Sequence, residues 1–253
     1  MGAELYLVVT AFILSLLIQE DLGMQIIGGK VVSPHSRPYM ALLDKPSICG
    51  GALIKNGWVL TAAHCSNGTR VTLGAHSLHA TEKEKQIFRV KKRIPHPSYQ
   101  QCTKENDIML LQLDRKAKLG KAVSLLALHT GGEDLNEGAT CEAAGWGATK
   151  NQNEAPSDKL MAVNLTIFNR KTCNEMKAYE LKKITKNMVC AGARRGGKDT
   201  CDGDSGGPLV CKGELRGITS FGPMKCGLRG EAGVYTLLTA EYLQWIKEMT
   251  GGD

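Results

Sequence analysis

The chain has 253 residues, 42% of them apolar and 23% charged, with a formal net charge of +7. That much apolar material supports one or two packed units and excludes a disordered tail; with no low-complexity stretch and no fixed-period repeat, linker and solenoid classes drop out too. No aromatic residues interleave with the basic runs to offer a stacking surface, so nucleic acid is not an expected partner.

Leu5 to Ile18 form an apolar run shorter than the ~20 residues that span a bilayer. It predicts a secretory signal peptide and no membrane span, with an uncleaved anchor as the alternative. Its flanks depart from the usual pattern: Glu4 stands where a base is common, and Asp21 lies close to a cut after Gly23. Loss of residues 1–25 removes Glu4, Glu20 and Asp21 and no base, which raises the formal charge to +10. Basic runs such as Lys91-Lys92-Arg93 and Arg194-Arg195 then favour an acidic partner, acidic proteoglycan first, through a field that salt screens. The other reading of such runs is a merely solvated face.

From Ile26 onward, short apolar or alternating runs are separated by turn residues. The expected strands are Tyr39 to Leu43, Ile48 to Ile54, an apolar strand ending before His64, Gln86 to Arg93 and Ile108 to Leu113. The second half continues with Leu160 to Ile167, Pro208 to Cys211, Leu215 to Phe221 and Gly233 to Leu237. Many short strands at this spacing fit an antiparallel barrel or a sandwich. Thr130 to Gly138 is polar and glycine-rich, a candidate linker. Thr239 is placed to cap a terminal helix, with Glu241 in its first turn and Tyr242, Trp245, Ile246 and Met249 on one face.

Nine cysteines, none in Cys-x-x-Cys spacing, argue against a zinc site and for disulfides. Eight of them allow 105 pairings, and the residues do not choose among these.

Three segments carry chemistry. Cys201-Asp202-Gly203-Asp204-Ser205-Gly206-Gly207-Pro208 sets a small nucleophile in a glycine-flanked turn, where the amides of Gly203 and Ser205 are candidates to converge on one oxyanion. Taken alone it also reads as a plain turn. Thr61-Ala62-Ala63-His64-Cys65 holds an imidazole beside a cysteine at a strand end, where a general base would be rigid. The other histidines, His35, His76, His79, His96 and His129, lie in polar or turn-like sequence and are expected at the surface. Asp107 opens the apolar stretch Ile108-Met109-Leu110-Leu111, so its carboxylate is expected to be buried and to need a donor; an imidazole N–H would serve. A carboxylate capping a strand or turn is the alternative.

Together and in the order His64, Asp107, Ser205, these segments resemble the chymotrypsin-like serine proteases over the whole chain from Ile26 to the terminal helix. The resemblance implies an all-β fold of two antiparallel six-stranded barrels, about 26–130 and 131–238, with the active site in the cleft between them and a terminal α-helix at about 239–249. It implies a triad of His64, Asp107 and Ser205, an oxyanion hole from Gly203 and Ser205, and disulfides Cys49–Cys65, Cys141–Cys211, Cys173–Cys190 and Cys201–Cys226, leaving Cys102. Ile26-Ile27-Gly28-Gly29 is similar to the family's mature start, whose freed ammonium pairs with the acid before the nucleophile, here Asp204. A buried carboxylate deprived of its partner costs ~3 to 5 kcal/mol, enough to hold a precursor inactive.

Asp199 matches the floor of the family's primary pocket, with Thr200 beside it, Ser220 in the wall and Gly222 and Gly233 kept small; this implies cleavage after Arg or Lys in protein substrates. Gln25, in place of a base before Ile26, suits removal of a Met24-Gln25 dipeptide, a habit of granule proteases. Cys201, Cys226 and Asp199 together resemble the granzyme A and granzyme K branch, which implies secretion, storage in cytolytic granules and susceptibility to serpin-type inhibitors. Cys102 lies in the loop through which granzyme A-like chains form disulfide-linked homodimers, so such a dimer is an expectation that non-reducing electrophoresis reports. The alternatives are a mast-cell or plasma tryptase-like protease and a catalytically silent basic homologue. Ala75 replaces the family's calcium-binding acid, with Glu82 and Glu84 short of a full oxygen cage, so no metal or cofactor is expected. Asn67 and Asn164 open N-glycosylation sequons.

Overall fold

The computed structural model describes residues 26–44, 47–149, 155–179 and 182–252. The expected leader, residues 1–25, lies outside them. Strands β2 (Met40–Asp44), β3 (Cys49–Lys55), β4 (Trp58–Thr61), β5 (Arg70–Leu73), β6 (Gln86–Pro95) and β7 (Met109–Leu113) close an antiparallel barrel in the order β2-β3-β4-β7-β6-β5. Strands β8 (Thr140–Gly145), β9 (Met161–Phe168), β10 (Met188–Gly192), β11 (Pro208–Cys211), β12 (Glu214–Phe221) and β13 (Gly233–Leu237) close a second, because β8 pairs with both β11 and β9. The period-two pattern does the work in β9, where Met161, Val163, Leu165 and Ile167 point inward and Asn164 is exposed.

The two ends of the chain cross over. β1 (Lys30–Val31) adds to β9, and Ile26 packs into the second barrel's core with Met161, Val163 and Tyr235. The terminal helix, α2 (Ala240–Met249), does the reverse, setting Tyr242, Trp245 and Ile246 among the core residues of the first barrel. Each such buried side chain contributes about 1.5 to 3 kcal/mol, so the exchange of ends fixes the barrels against each other. Among the described residues, no helix is long and apolar enough to cross a membrane.

Packing overrides local sequence in several places. His76 and His96 are each 7% exposed, against the expectation of surface histidines. His96 sits edge-on to Tyr242 and Trp245 at 5.3 Å from each, and α2 docking is what covers it. The His76 carbonyl accepts the indole N–H of buried Trp146 at 3.0 Å and the Leu160 N–H at 2.8 Å, drawing its loop inward. Thr239 occupies the position before α2, but its hydroxyl makes no capping bond, and Met249 is 40% exposed at the helix end. A short helix, α1 (Arg170–Asn174), capped by the Asn169 side chain on Lys171 N–H, follows β9.

Four disulfides form: Cys49–Cys65, Cys141–Cys211, Cys173–Cys190 and Cys201–Cys226, the pairing the resemblance implied. The first staples β3 to the turn that carries His64. Cys102 is free and exposed, as are the side chains of Asn67 and Asn164.

Candidate active site

His64 lies in a single 3-10 turn, Ala63–Cys65, at the end of β4, and Asp107 lies just ahead of the paired strand β7. Strand pairing thus brings together residues 43 positions apart: His64 Nδ1 stands 2.7 Å from Asp107 Oδ2, and the His64 amide donates to Oδ1 at 3.0 Å. Asp107 is fully buried. Burial works to raise its pKa, but the bonds and charge of His64, together with the Ser220 hydroxyl, outweigh it and hold the carboxyl below its ordinary range. Ser220 borders the adjoining slot, yet its hydroxyl donates to Asp107 Oδ2 at 2.5 Å. Thr236 Oγ1 donates to the Asp107 carbonyl at 2.9 Å, and the Tyr242 hydroxyl bonds Asn106 at 2.7 Å. Sequence gave no sign of these three supports; only the second barrel and α2, packed against this loop, supply them.

Ser205 comes from the second barrel. Its carbonyl accepts the Gly50 N–H at 2.7 Å and lies 3.6 Å from Cys65 Sγ, next in chain to His64, while Gly206 N–H bonds Thr219 O at 2.8 Å. Gly206 has a φ of +79°, and a Cβ there would sit 2.1 Å from Thr61 Oγ1, so only glycine lets the serine turn approach β4. The Asp202 carbonyl accepts the Ala148 N–H at 2.6 Å, and the same trans peptide turns the Gly203 N–H to the opposite side. Among the described residues, no acceptor takes the amides of Gly203 or Ser205.

Asp204 is fully buried and accepts the amides of Gly147 at 2.8 Å and Cys201 at 3.0 Å. Burial pushes its carboxyl up to about 7, and among the described residues no cation pairs with it. Ile26 is fully buried nearby in sequence to Ile27, whose carbonyl accepts the Asp199 N–H at 3.1 Å. The start of the described chain is therefore folded against the loop from Asp199 to Asp204.

A slot of about 210 Å³ opens beside Ser205, lined by Thr200, Cys201, Ser220, Phe221, Gly222 and Cys226. Behind Thr200 stands Asp199, 2% exposed, which accepts the amides of Thr200 and Gly227, each at 2.9 Å. Burial, only partly offset by these amides, raises its pKa to about 6. A Cβ on Gly233 would come within 3.0 Å of Asp199 Oδ1 and crowd the acid, whereas one on Gly222 would meet Gly233 Cα at 3.9 Å, an ordinary contact. The Thr200 hydroxyl bonds the Tyr235 hydroxyl at 2.9 Å.

Of the basic runs, Arg93 joins Arg70, Arg89 and Arg115 around a shallow concavity of about 580 Å³ on the first barrel. Two of these four are paired, Arg70 with Asp44 and Arg115 with Asp114 at 3.0 Å, and Arg194 pairs with Glu137 at 2.8 Å. Glu82 accepts the amides of His76 and Ser77, and among the described residues no cluster of potential metal ligands forms.

Residues 26–246 match the family described as Trypsin. The chain is similar to granzyme A of Bos taurus, 46% identical over 90% of this chain and 88% of that one. It is also similar to two proteins of Homo sapiens: kallikrein-14, 43% identical over 91% of this chain and 85% of the relative, and kallikrein-8, 42% identical over 92% and 88%.

Proposed function

Because the chain belongs to the trypsin family of serine endopeptidases, we propose that it cleaves protein substrates after Arg or Lys through an acyl-enzyme formed on Ser205. The observation that carries the specificity is Asp199, a buried carboxylate without a cationic partner among the described residues, behind a slot bordered by Gly222 and next to Gly233, where a Cβ would crowd the acid. A guanidinium or ammonium entering the slot supplies the missing charge.

In this reading the Ser205 hydroxyl attacks the carbonyl of the residue held in the slot while His64 Nε2 takes its proton. Asp107, bonded to Nδ1, keeps the imidazole in the tautomer that can accept at Nε2 and stabilises the imidazolium. The amides of Gly203 and Ser205 receive the oxyanion. His64 returns its proton to the leaving amine, and water, activated by the same imidazole, releases the acyl group.

Processing switches the site on. A free ammonium at Ile26 pairs with Asp204, converting a carboxyl that burial has raised to about 7 into a stable anion that anchors the Gly203–Ser205 turn. Granule storage is supported by Gln25 before Ile26, which suits a dipeptide pro-segment, and by the likeness to granzyme A. Acidic proteoglycan is the storage partner that suits Arg89 and Arg93 on the first barrel, which form no ion pair among the described residues, by an attraction that salt screens.

The test compares chains beginning at Met24 and at Ile26 on Arg, Lys, Phe and Asp reporter peptides, with Ser205→Ala as control. Hydrolysis is expected only from the Ile26 form and only of the Arg and Lys peptides. Equal hydrolysis of the Phe peptide, or full activity of the Met24 form, would overturn the assignment.

A further inference from the structure

The segment between β7 and β8 joins the two barrels, and its acids lay it along the second one. Asp134 pairs with Arg170 at 2.7 Å and Glu137 with Arg194 at 2.8 Å. Both partners are guanidiniums, which stay charged at any pH the fold survives. The contact at Glu133 is different in kind. His129, half-buried, has Nδ1 2.7 Å from Glu214 Oε2 and Nε2 2.8 Å from Glu133 Oε1. Glu133 belongs to the joining segment and Glu214 opens β12, so one imidazole ties that segment to the β11–β12 hairpin. Backbone bonds mark the same junction: Leu215 N–H donates to Ala127 O at 2.9 Å and His129 N–H to Leu215 O at 3.4 Å.

A neutral imidazole cannot serve both carboxylates. It has one N–H, so whichever nitrogen keeps the proton, the other turns a lone pair on a carboxylate oxygen at hydrogen-bonding distance. Only the imidazolium donates to both. The charged groups facing the ring are Glu133 from the joining segment, Glu214 from the hairpin and Arg216 from β12. Arg216 Nη2 donates to Glu133 O at 2.6 Å, and its Nη1 lies 3.8 Å from Glu133 Oε1. The bonds to Glu133 and then Glu214 raise the His129 pKa, against the opposing effects of burial and the Arg216 charge.

We propose that His129 is a proton-operated clasp, which fastens the segment between the barrels to the β11–β12 hairpin when protonated and releases one of its two glutamates when the proton leaves. Arg216 holds Glu133 in either state, so Glu214 is the side released. The folded protein binds this proton more tightly than an unfolded chain, in which histidine titrates near about 6.5. The clasp therefore contributes fully below about pH 6.5, and its contribution disappears as pH rises through the higher pKa of the folded state. The device is independent of the cleavage specificity proposed above, and its test involves no turnover.

The experiment uses the chain beginning at Ile26 with Ser205→Ala, to remove self-digestion, and follows the carbon-bound imidazole protons by NMR across the pH range of histidine titration. The His129 signal, assigned by its loss in His129→Gln, is expected to titrate above about 6.5 and to fall back to that value in the double variant Glu133→Gln, Glu214→Gln. Hydrogen exchange of the Leu215 and His129 amides, corrected for the intrinsic rate, should show about threefold less protection above the titration than below it, a modest loss because the carboxylates are exposed. That difference should vanish in His129→Gln. A His129 that titrates at or below about 6.5, a raised value that survives in the double variant, or amide protection that ignores the titration would overturn the clasp.

Discussion

Replacing Asp107 by Asn is expected to lower kcat/KM on an Arg reporter peptide by about ten-thousand-fold with little change in KM or in the fold. The isosteric amide can still accept the His64 backbone N–H through Oδ1, the bond now made at 3.0 Å. Its NH₂ group, however, meets His64 Nδ1, where the carboxylate oxygen stands at 2.7 Å. A donor in that place forces the imidazole to accept there and to carry its proton on Nε2, which then cannot take the proton of Ser205. The charge that would stabilise the imidazolium is lost as well. A steady-state assay, with circular dichroism as the check on folding, decides the matter: a loss smaller than about tenfold would mean that Asp107 is only a structural carboxylate.

Asp199→Ser is expected to remove about three to five orders of magnitude from hydrolysis of Arg and Lys peptides, because a long cation would then be buried without its partner. The wild-type acid also predicts a pH dependence. Its pKa in the empty slot is about 6, above the ordinary carboxyl value because burial disfavours the anion. Below that value the slot binds a proton in competition with the ligand. The inhibition constant of benzamidine, a small cation that needs only the slot, should rise about tenfold per pH unit as pH falls below about 6 and level off above it. A flat profile between pH 4 and 8, or unchanged Arg hydrolysis in the serine variant, would contradict the role given to Asp199.

Much of this was legible in the chain. β11 and β13 begin and end at the expected residues, and β2, β3, β7, β9 and β12 differ from expectation by one residue at one or both ends, because apolar alternation and turn residues mark them. β5, β8 and β10 carried no such mark. β8 reads Thr-Cys-Glu-Ala-Ala-Gly and β10 reads Met-Val-Cys-Ala-Gly, sequences poor in β-branched and aromatic residues; pairing on both sides, not propensity, makes them strands. In the site, His64 and Asp107 stood out because polar groups flanked by apolar strands need a reason, and strand pairing between β4 and β7 supplies it. Ser220 did not stand out for the role it has. A serine inside Thr-Ser-Phe-Gly looks like slot wall, and its hydroxyl reaches Asp107 only because the second barrel packs over the first, a contact between positions 113 residues apart.

The proposed mechanism requires that one serine be activated by one imidazole held on a buried carboxylate. Incubating the chain that begins at Ile26 with an aryl phosphonate bearing a basic side chain, then locating the adduct by peptide mass spectrometry, addresses it directly. A single phosphonyl group on Ser205 is predicted, with none in the His64→Ala variant. A folded chain that leaves Ser205 unmodified, or a variant lacking the imidazole that labels as fast as the parent, would contradict it.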